Sequence, residues 1–238
     1  MLIIPAIDIY ENKVVRLRKG NFEDISYYDF TPLEMAKKYE KLGFRLIHIV
    51  DLLGSKTGRF TALNSIEEIK ENTKLEVEFG GGVRSINSVE ELIFAGVDRV
   101  IIGSLAVKNK NEFEQIVDKY SDDKIIVAID AVSEKVKVSG WTEETGITVS
   151  EHINYSMSLG IKRFLCTDIS KDGMLKGSNR DFYKRLIKEF PSIELIASGG
   201  VKDINEIKEL NNLGLWGAVV GKAIYEGKIN LKELADAL

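Results

Sequence analysis

The chain has 238 residues, 44% of them hydrophobic and 29% charged, a balance that fits a folded globular protein and excludes disordered, collagen-like and membrane-spanning classes. Its 33 Lys and Arg against 37 Asp and Glu leave a formal net charge of −4, without the basic surplus that a nucleic-acid binder uses to neutralise phosphates. The single cysteine, Cys166, excludes an internal disulfide framework and a cysteine-based zinc site, and the two histidines, His48 and His152, stand too far apart for metal-ligand spacing. Asp8 interrupts the apolar start too early for a signal peptide, and no apolar run approaches the ~20 residues of a membrane span. The expectation is a cytoplasmic protein, a monomer by default, with a small-molecule partner and no membrane, nucleic acid or metal.

In chain order, short apolar runs alternate with helix-start signals. The runs are Leu2–Ile7, Leu46–Val50, Leu75–Phe79, Val100–Ile102, Ile125–Ile129, Phe164–Cys166, Ile193–Ala197 and Ala218–Val220. Near-continuous Ile, Val and Leu fit parallel strands buried on both faces. Between them a small polar residue is followed three positions later by Glu, the spacing of a capping box: Thr31/Glu34, Asn64/Glu67, Ser88/Glu91, Asn109/Glu112, Thr148/Glu151, Asp203/Glu206 and Asn230/Glu233. Asn179 starts the sixth helix without a Glu partner, Pro32 suits a first helical position, and Gly43, Gly96, Gly160 and Gly214 stand where helices end. The polar stretch from Val132 to Thr148 is the longest expected loop, a lid or simply a connection.

The chain also repeats itself. Gly81-Gly82-Val83, Ile86-Asn87, Gly96 and Gly103 recur as Gly199-Gly200-Val201, Ile204-Asn205, Gly214 and Gly221, 118 residues on (199 − 81 and 221 − 103). Ala6-Ile7-Asp8 recurs as Ala128-Ile129-Asp130 at 122 (130 − 8), close to half the chain. Eight β/α units in two similar halves predict a (β/α)8 TIM barrel built from two half-barrels, one domain spanning 1–238. A doubly wound open sheet is the alternative, but its G-x-G-x-x-G fingerprint is absent.

In such a barrel chemistry sits where strands end. Gly81, Gly82, Gly103 and Ser104 on one side, and Gly199, Gly200, Gly221 and Lys222 on the other, form a duplicated pattern suited to backbone N–H contacts with phosphate. A ligand with a phosphate at each end follows. Gly173, in the turn Lys171-Asp172-Gly173, is a further phosphate contact. Asp8 and Asp130 face one another across the other axis and can divide general base and general acid work. Thr167 can hydrogen-bond a reacting oxygen or orient Asp130. Asp51 and Asp168 end matching strands as substrate contacts or loop anchors. Arg16 and Arg84 are candidate substrate contacts, and Trp141 can stack on a flat ring or pack its loop down. Cys166 and His48 read as packing residues.

Several of these segments resemble the ProFAR isomerase family of histidine biosynthesis: Pro5-Ala6-Ile7-Asp8, Val50-Asp51-Leu52, Gly80-Gly81-Gly82-Val83-Arg84, Ile102-Gly103-Ser104, Thr167-Asp168-Ile169 and Gly221-Lys222-Ala223-Ile224-Tyr225-Glu226-Gly227. The resemblance runs the length of the chain. It implies a cofactor-free rearrangement of an aminoaldose to an aminoketose on a substrate with two phosphates, with Asp130 as general acid, Asp8 as general base at C2 and Thr167 beside the acid. The cyclase subunit of imidazole glycerol phosphate synthase is a neighbouring family that typically carries Cys in place of Pro5-Ala6. The dual-substrate isomerases that also convert phosphoribosylanthranilate are another, and a non-catalytic phosphosugar-binding barrel is the reading from a different class. After Asp130 the segment Ala131-Val132-Ser133-Glu134-Lys135 departs from the family pattern, lacking the basic residue and glycine common there.

Overall fold

The computed structural model describes residues 1–18, 21–120 and 122–235. Each of the eight apolar runs becomes a strand. β1 (Leu2–Tyr10) continues into an antiparallel ribbon of β2 (Lys13–Arg18) and β3 (Asn21–Tyr27), followed by α1 (Pro32–Lys41). Next come β4 (Leu46–Asp51), α2 (Leu52–Thr57), α3 (Leu63–Asn72), β5 (Glu76–Gly80), α4 (Ile86–Phe94), β6 (Arg99–Ile102), α5 (Ser104–Lys108) and α6 (Lys110–Lys119). The second half runs β7 (Ile125–Val132), β8 (Lys135–Val138), β9 (Glu143–Thr148), α7 (Val149–Ser158), β10 (Arg163–Asp168) and α8 (Arg180–Glu189). It ends with β11 (Glu194–Ser198), α9 (Ile204–Asn212), β12 (Gly217–Val220), α10 (Lys222–Tyr225) and α11 (Leu231–Ala235).

The strands β1, β4, β5, β6, β7, β10, β11 and β12 pair in parallel in that order, and β12 pairs back onto β1, so the sheet closes. A closed ring of eight parallel strands with helices between them is the (β/α)8 barrel. Its strands are apolar on both faces because both faces are covered. Ile4, Ala6, Leu46, Ile101, Ile126, Leu165, Ile196 and Val219 fill the interior, while a larger shell including Ile7, Ile47, Val77, Ile129 and Phe164 packs against the helices.

The caps divide. Thr31/Glu34 and Thr148/Glu151 are full capping boxes, and Asn109, Asn179 and Asp203 each accept the N–H three residues on. Two pairs are corrected. α3 begins at Leu63 with Ala62 as N-cap and no side-chain cap, because the Asp51 carboxylate reaches over from the end of β4 and takes the Thr61 and Ala62 N–H groups. α4 is capped by Ser85 with Ser88 as the reciprocal partner, three residues before the expected Ser88/Glu91 pair. A serine hydroxyl does there what a glutamate does elsewhere.

The stretch from Val132 to Thr148 is also not a loop. It pairs as the hairpin β8–β9, with β8 against β7. The ribbon after β1 is its counterpart in the first half. Glu11 and Asn12 (φ 50° and 61°) turn β1 into β2, and Ser133 and Glu134 (φ 48° and 65°) turn β7 into β8. Two consecutive left-handed residues are the backbone of a type I′ turn, whose twist matches that of the strands it joins.

Candidate active site

β1 and β7 bring Asp8 and Asp130 to the same end of the barrel from opposite sides. Each carboxylate stands where its strand leaves the wall for its hairpin, at Asp8↔Val15 and Asp130↔Lys137. The hairpins then give the two groups different neighbours. Arg16 on β2 turns back and donates to Asp8 Oδ2 at 2.5 Å, with both side chains largely buried. Asp8, Asp172 and Tyr225 around the guanidinium hold its pKa above the ordinary arginine value, against the opposing effect of burial. Asp130 has no such cation. Burial pushes its carboxyl above the usual aspartate value, hydrogen bonds from Trp141 and Thr167 pull it part of the way back, and Asp172 and His48 act in opposite directions with smaller effect. Thr167 lies directly beside Asp130 in the β7–β10 register.

Trp141 reaches this position from the far end of the second hairpin, where Ser139, Gly140 and Trp141 follow one another at positive φ (57°, 63° and 73°). The same turn lays the Ser139 N–H on Ser104 Oγ at 2.9 Å, so the hairpin tip rests on one of the glycine loops expected to bind phosphate.

The two glycine loops are built alike. Gly81 and Gly199 both adopt left-handed backbone (φ 107° and 87°), and a Cβ on either would press on the carbonyl oxygen of the aspartate ending the preceding strand, at 2.3 Å from Asp51 O and 3.3 Å from Asp168 O. Only glycine satisfies both demands. Gly103 and Gly221 share an unusual backbone (φ −105°, ψ −98° and φ −118°, ψ −88°) at the starts of α5 and α10. Here the halves part: a Cβ on Gly221 would meet the Arg16 guanidinium at 2.7 Å, whereas one on Gly103 would find only the Ala128 Cβ at 3.8 Å. Lys222 donates to the carbonyl of Gly173 at 2.9 Å, which joins the Lys171-Asp172-Gly173 turn to the second glycine loop.

Asp51 and Asp168 hold loops. The oxygens of Asp51 accept from the N–H groups of Gly54, Thr61 and Ala62 and from the Thr61 hydroxyl, and those of Asp168 accept from Ser170 N–H, the Ser170 hydroxyl and the Asn179 amide. Arg84 is turned onto the carbonyls of Ser55 and Lys56, its guanidinium against Gly58. No group of three or more His, Cys, Asp or Glu side chains among the described residues is arranged to hold a metal ion.

Residues 2–230 match the family of histidine biosynthesis proteins. The chain belongs to that family. A relative from Flavobacterium johnsoniae, a 1-(5-phosphoribosyl)-5-((5-phosphoribosylamino)methylideneamino)imidazole-4-carboxamide isomerase, is 42% identical over 236 residues, covering 99% of this chain and 98% of its own. Relatives of the same name from Flavobacterium psychrophilum and Clostridioides difficile are 43% and 44% identical, over 99% and 98% of this chain and 98% and 96% of theirs.

Within this member of the family the site also contains groups that the sequence did not single out. Asp172 sits beside Arg16 and Asp8, and burial pushes its carboxyl above the usual aspartate value, opposed by Arg16. His48, taken above as a packing residue, bonds through Nδ1 to Glu78 at 2.7 Å inside the barrel, where Glu78 Oε2 has no partner. Neither had a sequence signal of its own: Asp172 lies inside a turn motif, and an i-to-j strand pair such as His48/Glu78 becomes visible only once β4 and β5 are in register.

Proposed function

We propose that the chain converts ProFAR, an aminoaldose carrying a phosphate at each end, into the corresponding aminoketose, as a ProFAR isomerase of histidine biosynthesis. Full-length identity above 40% to relatives of that name supports the activity. The observation that carries the mechanism is the pair of strand-end aspartates with unlike neighbours, a cation on Asp8 and neutral donors on Asp130.

Asp130 acts as the general acid. A raised carboxyl keeps its proton to a higher pH and delivers it to the ribose ring oxygen, which opens the ring to a Schiff base. Asp8, oriented by Arg16, takes the proton from C2 to give the enolamine, which tautomerises to the ketose by gaining a proton at C1. The sum moves protons and a double bond without net redox change, and no cofactor is called for. Thr167 positions the Asp130 carboxyl. The glycine loops with Ser104 and Lys222 take the two phosphates, Gly173 adds a contact, and Arg16 and Trp141 face the rest of the substrate, while Asp51, Asp168 and Arg84, which bonds the carbonyls of Ser55 and Lys56, act through the loops they hold. Asp172 is a second candidate for the acid, favoured by its raised carboxyl beside Asp8 and Arg16. The reading takes the chain as a cytoplasmic monomer without nucleic-acid partners; its net charge is −4, and among the described residues no helix is long and apolar enough to cross a membrane.

Purified chain incubated with ProFAR and no added cofactor should convert it, and phosphoribosylanthranilate in a parallel reaction decides between single and dual specificity. Asp130→Asn and Asp172→Asn side by side assign the acid: the one whose loss abolishes turnover is the donor. An inactive wild-type chain that still binds bisphosphates would leave the binding-protein reading in place of the isomerase.

A further inference from the structure

The end of the Gly221–Gly227 segment has no part in the chemistry above. Tyr225 is the last residue of α10, the helix that begins with Lys222, and its hydroxyl donates to the Ala6 carbonyl of β1 at 2.9 Å. Ala6 lies two residues before Asp8 and faces the barrel interior. The Tyr225 ring packs against Tyr28, at 4.7 Å between centroids, and the fully buried Tyr39 hydroxyl, which makes no geometric hydrogen bond of its own, lies near its hydroxyl. Burial first, and Tyr39 second, hold the Tyr225 hydroxyl well above the ordinary tyrosine value, so it stays a donor wherever the enzyme works.

The internal repeat shows that a glycine loop of this kind forms without such a hydroxyl. The spacing of 118 residues that relates Gly103 to Gly221 sets Val107 against Tyr225, and the spacing of 117 that relates Thr31/Glu34 to Thr148/Glu151 sets Ser156 against Tyr39. The first glycine loop and the second half's helix α7 therefore form without either tyrosine.

We propose that Tyr225 is a positioning residue for the isomerisation, tying the Gly221–Lys222 phosphate loop to the strand that carries Asp8 so that a seated phosphate and the base hold one fixed separation. The proposal rests on Asp8 as base and on that loop as a phosphate site. A displacement of about 1 Å between bound substrate and a catalytic group can lower a rate by ~10²-fold, so a hydrogen bond that sets this spacing acts on turnover more than on affinity.

Tyr225→Phe keeps the ring against Tyr28 and removes only the hydroxyl. With ProFAR as substrate and the full chain, kcat should fall by about tenfold while KM stays within about twofold. The thermal midpoint should hold, and the double variant with Lys222→Ala should lose less than the product of the two single losses, because both act through α10. An unchanged kcat with a lowered midpoint, or losses that simply multiply, would overturn the positioning role. Asp8→Asn assayed beside it separates the failures: turnover surviving that variant removes the base assignment on which the proposal stands, whereas turnover lost there and undiminished in Tyr225→Phe removes the proposal alone.

Discussion

The two halves of this barrel share a backbone and differ in what they lay on a carboxylate. In each half a strand carries Ala-Ile-Asp, continues two residues beyond the aspartate and passes through a two-residue left-handed turn into an antiparallel partner. In the first half that partner brings Arg16 back onto Asp8. The spacing of 122 residues that relates Asp8 to Asp130 sets Val138 against Arg16, and Val138 is buried in the hairpin. The contact falls instead to Trp141, a neutral donor. Duplicating a scaffold produces two like carboxylates in like places, and one substitution of cation for aliphatic side chain makes them unlike. That asymmetry is what acid–base chemistry on a nearly two-fold substrate needs.

Removing either carboxylate is the strongest way to break the comparison. Asp8→Asn and Asp130→Asn should each lower kcat/KM by roughly 10²- to 10⁴-fold, the range for positioned proton transfer, in steady-state assays with ProFAR. A variant that keeps full turnover would end the division of labour.

A second difference between the halves concerns stability. His152 on α7 is buried, and burial, reinforced by Lys110, lowers its pKa from 6.5 to about 4. The repeat sets Met35 on α1 at the same place. A depressed histidine leaves the unfolded chain binding more protons below pH 6.5, so stability is lost as pH falls from about 6.5 towards 4. His152→Met should remove that component, on the order of 3 kcal/mol at the acid end, read from denaturant unfolding at pH 7 and pH 4. Equal pH dependence in both proteins would contradict it.

The glycines sharpen the comparison further. Gly221→Ala drives a Cβ into the Arg16 guanidinium and should lower kcat/KM by about tenfold, whereas Gly103→Ala, with a similar backbone and only an ordinary contact to the Ala128 Cβ, should stay within about twofold. Equal losses would show that the backbone alone decides. The smallest effect is expected from Trp141→Phe, which keeps a ring and removes a donor that lowers the Asp130 pKa; the limb of the pH–rate profile set by Asp130 should move to higher pH.

Much of this was legible in the chain because it depends on local or repeated signals. Parallel strands buried on both faces announce themselves as runs such as Ile125–Ile129, and Gly43, Gly96, Gly160 and Gly214 all take the left-handed conformation past a helix end (φ 94°, 94°, 96° and 83°). The repeat made Asp8 and Asp130 stand out in pairs. The hairpins were hidden because their strands are half exposed and their turns, Glu11-Asn12 and Ser133-Glu134, lack the glycine that usually marks a type I′ turn. Asp172, Glu78 and Tyr225 were hidden for another reason. Each acquires its role from a partner far away in sequence, as Tyr225 does from Ala6, and no local pattern encodes that meeting.

The central claim is that Asp130 is the carboxyl that holds its proton. Its titration can be followed directly by carbon NMR of aspartate-labelled protein, with Asp130→Asn identifying the resonance. A midpoint above the ordinary aspartate value of 3.8, moving further up in Trp141→Phe, is the expected result. A midpoint at or below that value would contradict the assignment and pass the acid's role to Asp172.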